Sequence, residues 1–301
     1  MLLITGATGF VGRHVVKKVS KTRDDIRILA TSDFAAARKT YPNMDVVAGD
    51  ITRRETLRGL GKDVDTVIHL AGMVSYSKPR DVLMMVNVKG TQNVLEECKD
   101  AERFIFASSV SVYGEISGQK PANESYPTKP ENLYGRSKLE AERVIVGSGL
   151  PHTILRIAPI YGAGSPDWMK NLALLEKGFP IPNTKNLTHV THISNASSAF
   201  HLALTNRFNG LFNIADAQPV GFVHMAEKVV HLLGKKPNVV PFWYAALLAS
   251  LAGKGQYMKV LTMNRSYDIS AAKNKLGYIP GGDTDKNLRE MVEWYKSESG
   301  K

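Results

Sequence analysis

Thr5-Gly6-Ala7-Thr8-Gly9-Phe10-Val11-Gly12 is the stretch on which the fold of this chain turns. The apolar run Met1 to Ile4 leads straight into it, and a helical pattern through Val15, Val16 and Val19 follows. Strand, glycine turn and helix in that order form the setting of a dinucleotide site. Gly6 permits the tight turn, Gly9 lets the backbone approach a pyrophosphate, and Gly12 allows close helix–strand packing. The N-terminus of the helix then offers free N–H groups to the phosphates. The spacing, Gly-x-x-Gly-x-x-Gly, is one residue longer than the usual Gly-x-Gly-x-x-Gly. The alternative, a glycine-rich surface turn, fits poorly at the first strand of an alternating chain.

That alternation is plain. Ile26–Thr31 reads as a second strand, Asp45–Ala48 as a third, Thr66–Leu70 as a fourth, Arg103–Ala107 as a fifth and Thr153–Arg156 as a sixth. Helical patterns lie between most of them, notably Val82 to Cys98. Repeated strand–helix units predict an α/β fold, with a parallel sheet covered on both faces. Right-handed crossovers place the ligand crevice at the carboxyl ends of the strands.

The chemistry concentrates in Tyr134-Gly135-Arg136-Ser137-Lys138. On a helix, a tyrosine and a lysine four residues apart share one face. The ammonium then favours the ionised phenol, lowering a pKa of about 10. This gives a proton donor and acceptor near neutral pH, which interconversion of an alcohol and a carbonyl requires. An amphipathic surface helix is the bland alternative. Polar residues also gather at the strand ends: Asp50, His69, and the run Ser108-Ser109-Val110-Ser111-Val112-Tyr113-Gly114, with Asn87 in the helix between. Asp50 could instead cap the next helix, Asn87 could bond local backbone, and His69 reads best as a packed strand-end histidine.

Composition narrows the classes. The chain has 301 residues, of which 43% are hydrophobic and 22% charged, an ordinary globular balance. Its single cysteine, Cys98, excludes an intrachain disulfide framework, reads as a core residue and suits a reducing compartment. The net charge of +11 is spread along the chain without a basic stripe, so a phosphate-bearing ligand explains it better than nucleic acid. The first residues already read as strand and glycine turn rather than signal peptide, and no apolar run reaches the roughly 18 residues of a membrane span. The expectation is a cytoplasmic protein, with membrane association left open.

Together these segments resemble the extended short-chain dehydrogenase/reductase family, the NAD-dependent epimerase/dehydratase superfamily. The matching positions are Thr5–Gly12, Asp50-Ile51, His69–Gly72, Asn87 with Gly90-Thr91, Ser108–Gly114, Tyr134–Lys138 and Arg156–Gly162, in the family's order and at its separations. The resemblance implies a Rossmann-type doubly wound parallel sheet with a smaller C-terminal substrate domain. It implies Ser109, Tyr134 and Lys138 as the catalytic triad and Asn87 as the supporting residue of a proton relay, with Ser111 the competing serine. It also implies a cofactor bound by Gly6, Thr8, Gly9, Phe10, Val11 and Gly12, with Asp50 and Ile51 at the adenine. Leu70, Ala71 and Gly72 run along the cofactor, Lys138 holds the nicotinamide ribose beside Tyr134, and the Pro159 segment lies beside the nicotinamide.

The cofactor's identity depends on the end of the second strand, where an acidic residue favours NAD and a basic one NADP. Here Ser32 leaves room for a 2′-phosphate and Arg13 could help, while Asp33 opposes it; the reading is a slight preference for NADP over NAD.

The second half is less regular. By the same resemblance, residues 1–160 and 186–215 form the cofactor domain, and 161–185 with 216–301 the substrate domain. Asn195 stands where the family often has an aspartate, and His189 with His192 resembles a metal pair only superficially; no metal is expected. Val110-Ser111 after Ser109 excludes the Asp-Glu pair of nucleotide-sugar 4,6-dehydratases, and Ile157-Ala158-Pro159 weakens a nucleotide-sugar epimerase. The tail from Tyr267 to Tyr295 resembles the 3β-hydroxysteroid dehydrogenase and dihydroflavonol-reductase branch.

The expected function is therefore NAD(P)(H)-dependent interconversion of a secondary alcohol and a ketone on a small apolar substrate, sterol-like, isoprenoid or phenolic. The alternatives are an epimerase of the same family and a non-catalytic NAD(P)-sensing regulator. Two expectations concern contacts. The family's habit of pairing helices predicts a homodimer through 82–98 and 132–147, using Leu83, Met84, Val88, Leu139 and Val144. The apolar segment 239–252, with Lys235, Lys236, Lys254 and Lys259 around it, reads either as a buried substrate-domain helix or as a peripheral membrane contact.

Overall fold

The structure, a computed structural model, describes residues 1–31, 34–75, 78–116, 120–253, 258 and 262–300. Its centre is a seven-stranded sheet in the order β11-β6-β5-β4-β1-β2-β3. The strands are β1 (Leu2–Thr5), β2 (Ile26–Ala30), β3 (Asp45–Ala48), β4 (Thr66–His69), β5 (Arg103–Ser109), β6 (His152–Ile157) and β11 (Gly210–Ile214). All six ladders are parallel. Parallel strands buried on both faces need apolar residues at successive positions rather than alternate ones. All eight residues of β1 and β4 are buried, and Leu2, Leu3, Ile4, Val67 and Ile68 supply successive apolar positions.

The side chains of one strand divide between two cores. Leu2 and Ile4 join the cluster that holds Val15, Val16 and Val19 of α1 (Phe10–Val19) and Ala196, Ala199 and Phe200 of α7 (Ile193–Asn206). Leu3 faces the opposite cluster, with Val94, Leu95 and Cys98 around α4 (Gly90–Glu97) and Ala141 and Ile145 of α5 (Leu133–Gly147). Cys98 is buried there, as expected of a core residue. The strand period of two thus specifies both faces of the doubly wound sheet.

The strand order reverses between β1 and β4, where Thr5 pairs with His69. A crevice opens outside the carboxyl ends of strands at such a switch point. The glycine turn after β1 and Leu70–Gly72 after β4 flank it.

Beyond β6, the short strands are β7 (Ile160–Tyr161), β8 (Ile181–Asn183), β9 (Leu187–Thr188), β10 (Thr191–His192), β12 (Val220–Gly221) and β13 (Val239–Pro241). They pair as β10–β7, β12–β9 and β13–β8. A third core gathers Leu172 of α6 (Pro166–Glu176), Met225 and Val229 of α8 (Phe222–Leu232), and Leu288 and Met291 of the last helix, α10 (Thr284–Glu298).

Four details depart from the expectations. β5 continues through Ser108 and Ser109, because β6 pairs with it as far as Ile157. The helix over 82–98 is interrupted: α3 (Arg80–Met84) passes into a π-helical turn at Met85–Lys89 before α4. Leu83 and Leu139 are no dimer surface, since both pack inward; Val82, Met85 and Val146 are the exposed apolar residues of these helices. Finally, 239–252 is not a buried helix. In α9 (Phe242–Leu251), Ala245 is the buried residue, and Trp243 and Leu251 are 68% and 79% exposed.

Candidate active site

Helix α5 begins at Asn132, whose Oδ1 accepts from the Gly135 N–H at 2.7 Å and so fixes the first turn. Tyr134 and Lys138, both buried, follow on one face. Gly135 matters because α5 presses on the turn Val110–Val112 after β5. A β-carbon at Gly135 would lie 2.4 Å from the Ser111 carbonyl oxygen. That close approach brings the start of α5 to the end of β5. There Ser109 Oγ donates to Ser111 Oγ at 3.1 Å and accepts from the Ser111 N–H at 3.2 Å.

Lys138 reaches back across the sheet end. Its Nζ donates to the Ala107 carbonyl at 2.9 Å and lies 4.7 Å from the centre of the Phe106 ring. Burial lowers its pKa to about 8, against a smaller opposing pull from Glu142. Asn87 stands in the wide π-helical turn, a form often found at functional sites. Its Oδ1 accepts from the Met73 N–H at 2.7 Å, and its Nδ2 donates to the Met73 carbonyl at 3.0 Å and to Ser137 Oγ at 2.9 Å. Asn87 and Lys138 converge on exposed Gly72, where a β-carbon would sit 3.1 Å from Asn87 Oδ1 and 3.2 Å from Lys138 Nζ. Asn87, Lys138 and Gly72 are thus brought together.

His69 is a packed strand-end residue, held between Thr5 Oγ1 at 2.7 Å and Thr91 Oγ1 at 3.0 Å. Burial, assisted by the charge of Lys138, lowers its pKa to about 3 and keeps it neutral. Thr5 Oγ1 also accepts from the Ala71 N–H at 3.2 Å, tying β1 to the strand of backbone beyond β4.

The glycine turn has the shape a pyrophosphate needs. Gly6 is in the left-handed region at φ +70°, and a β-carbon there would lie 2.6 Å from the Ala71 nitrogen. Thr8 and Gly9 are exposed, Phe10 and Val11 partly so, and Gly12 is buried against the carbonyl of Gly6. No side chain caps α1, and its first turn carries no acidic residue. Its first N–H groups therefore remain for an anion. A dinucleotide fits these residues.

The remaining predicted positions are placed as follows. Asp50 Oδ1 accepts from the Thr52 N–H at 2.9 Å and from Thr52 Oγ1 at 2.7 Å; partial burial raises its pKa, and these bonds with the nearby Arg53 outweigh that and lower it. Ile51 packs on Gly90, and its carbonyl accepts from Asn93 Nδ2 at 2.8 Å. Pro159 is exposed just past β6. Ser32 and Asp33 lie outside the described residues. His189 and His192 are held apart in purpose: His189 Nδ1 accepts from the Tyr267 N–H at 2.9 Å, while His192 pairs with Ser194 Oγ at 2.7 Å. Among the described residues no three His, Cys, Asp or Glu gather as metal ligands.

One residue escaped the sequence reading. Glu142, one turn beyond Lys138, is buried and accepts from Arg156 at 2.6 and 3.0 Å and from Ser108 Oγ. It clamps β5, β6 and α5 together beneath the site, and its i+4 spacing from Lys138 was the available signal. Asn195 donates to Asp216 Oδ1 at 2.7 Å and to the Gly281 carbonyl at 2.9 Å, and accepts from the Gly281 N–H at 3.0 Å. An aspartate could accept but not donate there.

The sequence model of the NAD dependent epimerase/dehydratase family matches residues 2–215. The chain belongs to that family. It is an enzyme of the extended short-chain dehydrogenase/reductase type, dependent on a nicotinamide dinucleotide. Among its relatives is a UDP-glucose 4-epimerase of Vibrio cholerae, 29% identical over 313 residues that span 97% of this chain and 94% of that one. A sterol-4-alpha-carboxylate 3-dehydrogenase (erg26, decarboxylating) of Schizosaccharomyces pombe is 25% identical over 99% of this chain and 98% of its own. The solved structure of MoeE5 in complex with UDP-glucose and NAD superposes with a TM-score of 0.77 at 25% identity, covering 99% of each chain. The epimerase/dehydratase fold therefore extends past residue 215 to nearly the whole chain.

Proposed function

We propose that this family member interconverts a secondary alcohol and a ketone on an apolar substrate. The observation that carries the proposal is the close approach of Gly135 to the Ser111 carbonyl, which packs the start of α5, bearing Tyr134 and Lys138, against the turn that follows Ser109 at the end of β5. In this reading, Tyr134 exchanges a proton with the substrate oxygen, and Ser109 donates a hydrogen bond to the same atom. Lys138 supplies the positive charge that favours the phenolate and holds the nicotinamide ribose. Asn87 fixes the polar wall behind Lys138 through Met73 and Ser137. Gly6, Thr8, Gly9, Phe10, Val11 and Gly12 hold the pyrophosphate, with Asp50 and Ile51 towards the adenine and Leu70–Gly72 and Pro159 along the rest. When bound, the nicotinamide supplies or accepts the electron pair of the interconversion.

The similarity to a sterol-4-alpha-carboxylate 3-dehydrogenase supports an apolar alcohol. So does the scarcity of arginine near the C-terminal substrate side, where none occurs from 208 to 264 to meet a diphosphate. The UDP-glucose 4-epimerase relative favours a second reading, a nucleotide-sugar epimerase. One experiment separates them: the melting temperature with saturating cofactor, measured with hydrophobic secondary alcohols and with UDP-sugars. The first reading predicts a rise with an alcohol and cofactor absorbance at turnover; a rise with a UDP-sugar alone overturns it.

Three finer points belong to the same proposal. Exposed Arg13, with Arg38 and Lys39 at the end of α2 (Phe34–Thr40), supports a slight preference for NADP, and fluorescence titration of both reduced cofactors tests it. Residues 1–160 and 186–215 serve the cofactor, and 161–185 with 216–301 shape the substrate side. The protein works as a homodimer, with Val82, Met85 and Val146 as the exposed apolar residues available for the interface.

A further inference from the structure

Helix α9 holds no charged residue, and Ala245 is its buried side chain. Phe242, Trp243, Tyr244, Leu247, Leu248 and Leu251 are all exposed. A helix apolar on every side is normally covered by protein or by lipid. At about 15 Å it is too short for a bilayer core of about 30 Å. No described helix is long and apolar enough to cross a membrane. What suits such a helix is the plane of an interface.

The charge around it points to the occupant. Val239 of β13 pairs with Ile181 of β8, and Asn238 Nδ2 donates to the Gly178 carbonyl at 2.9 Å. This sets exposed Phe179 beside the start of β13, with exposed Lys177, Lys235 and Lys236 at the same end, while α9 begins at the other end of β13. Exposed Lys185 follows β8 at its other end, two residues past Asn183, which pairs with Pro241. Between Asp216 and Asp268 the sequence has Lys228, Lys235, Lys236, Lys254, Lys259 and Arg265 against Glu227 alone. An apolar centre within charge of one sign complements an anionic headgroup layer. Trp243 and Tyr244, whose rings meet edge-on at 5.8 Å, are the ring types that settle at headgroup level.

We propose that α9 forms a membrane-docking face, which lies in the headgroup region of a bilayer containing anionic lipid. The contact does not depend on which substrate the enzyme takes.

The test is sedimentation of the full chain with vesicles of phosphatidylcholine alone and of phosphatidylcholine mixed with phosphatidylglycerol. The protein should sediment with the mixed vesicles about tenfold better than with phosphatidylcholine alone, and less so as salt is raised. The double variant Trp243→Glu/Leu247→Glu should lose about tenfold or more of that binding. Lys235→Glu/Lys236→Glu should remove most of the preference for the anionic vesicles. All four side chains are exposed, so unchanged circular dichroism and melting temperature should accompany both losses. Absence of wild-type binding to either vesicle overturns the proposal, as does equal binding by the variants. Self-association of the wild type that Trp243→Glu/Leu247→Glu abolishes, without vesicle binding, would likewise overturn it and make the face a protein–protein contact.

Discussion

Gly135 and Ser111 meet backbone to backbone, so closely that a β-carbon on Gly135 would stand 2.4 Å from the Ser111 carbonyl oxygen. This contact, together with the Glu142 clamp on Ser108 and the bond from Lys138 to the Ala107 carbonyl, sets the distance between the strand end that bears Ser109 and the helix that bears Tyr134 and Lys138.

Gly135→Ala should therefore push α5 away from the turn. A cost of about 1–3 kcal/mol is expected from the overpacking, and turnover should fall further than stability predicts. Gly147, in the same helix, has nothing within 4 Å of the position its β-carbon would take. Gly147→Ala should be neutral or stabilising by up to about 1 kcal/mol, with activity retained. Denaturant melts and turnover rates of the two variants, side by side, check the pair.

Glu142 and Arg156 form a buried ion pair, and removing one partner strands the other charge. Glu142→Gln should cost roughly 3–5 kcal/mol. It also removes the charge that holds up the pKa of Lys138, so the alkaline limb of the pH–rate profile should move to lower pH. Calorimetry and the profile together check this, since a merely structural loss leaves the limb in place.

Much of this was legible in the sequence. The six strands, the glycine turn and the pair Tyr134/Lys138 announce themselves because each depends on local periodicity or on spacing within one element. β3 was read to the residue, since Gly49 after it delimits its apolar run. The π-helical turn at Met85–Lys89 was not read, and 82–98 reads as one continuous helix. Nor was the exposure of α9: composition reports that a helix is apolar, and only packing reports whether anything covers it. The clamp of Glu142 on Ser108 and Arg156 joins three elements, and no window of sequence contains all three.

His69 gives a pH prediction. Burial keeps its folded pKa near 3, below the unfolded value of about 6.5. Between these values the unfolded chain binds the extra proton, so this stability is complete above about pH 6.5 and is lost as pH falls towards 3. The His69→Asn variant should show a shallower loss of stability on acidification, by up to about 1.4 kcal/mol per pH unit. Urea melts from pH 4 to 7 measure the slope, which is independent of the absolute cost of the substitution.

The homodimer proposal makes Val82, Met85 and Val146 interface residues. Light scattering at micromolar protein should give twice the chain mass, and Met85→Glu/Val146→Glu should shift it to the monomer. A wild-type monomer at that concentration removes the proposal.

The central claim is that Tyr134 carries the proton while Lys138 and the glycine turn hold the cofactor. It is tested most directly by turnover of Tyr134→Phe on the best alcohol or ketone, followed by nicotinamide absorbance, with cofactor affinity titrated in parallel. The account predicts a fall of about 10²–10⁴-fold in kcat with cofactor affinity nearly intact, because only the phenolic proton has been removed. A rate close to wild type in Tyr134→Phe would contradict it.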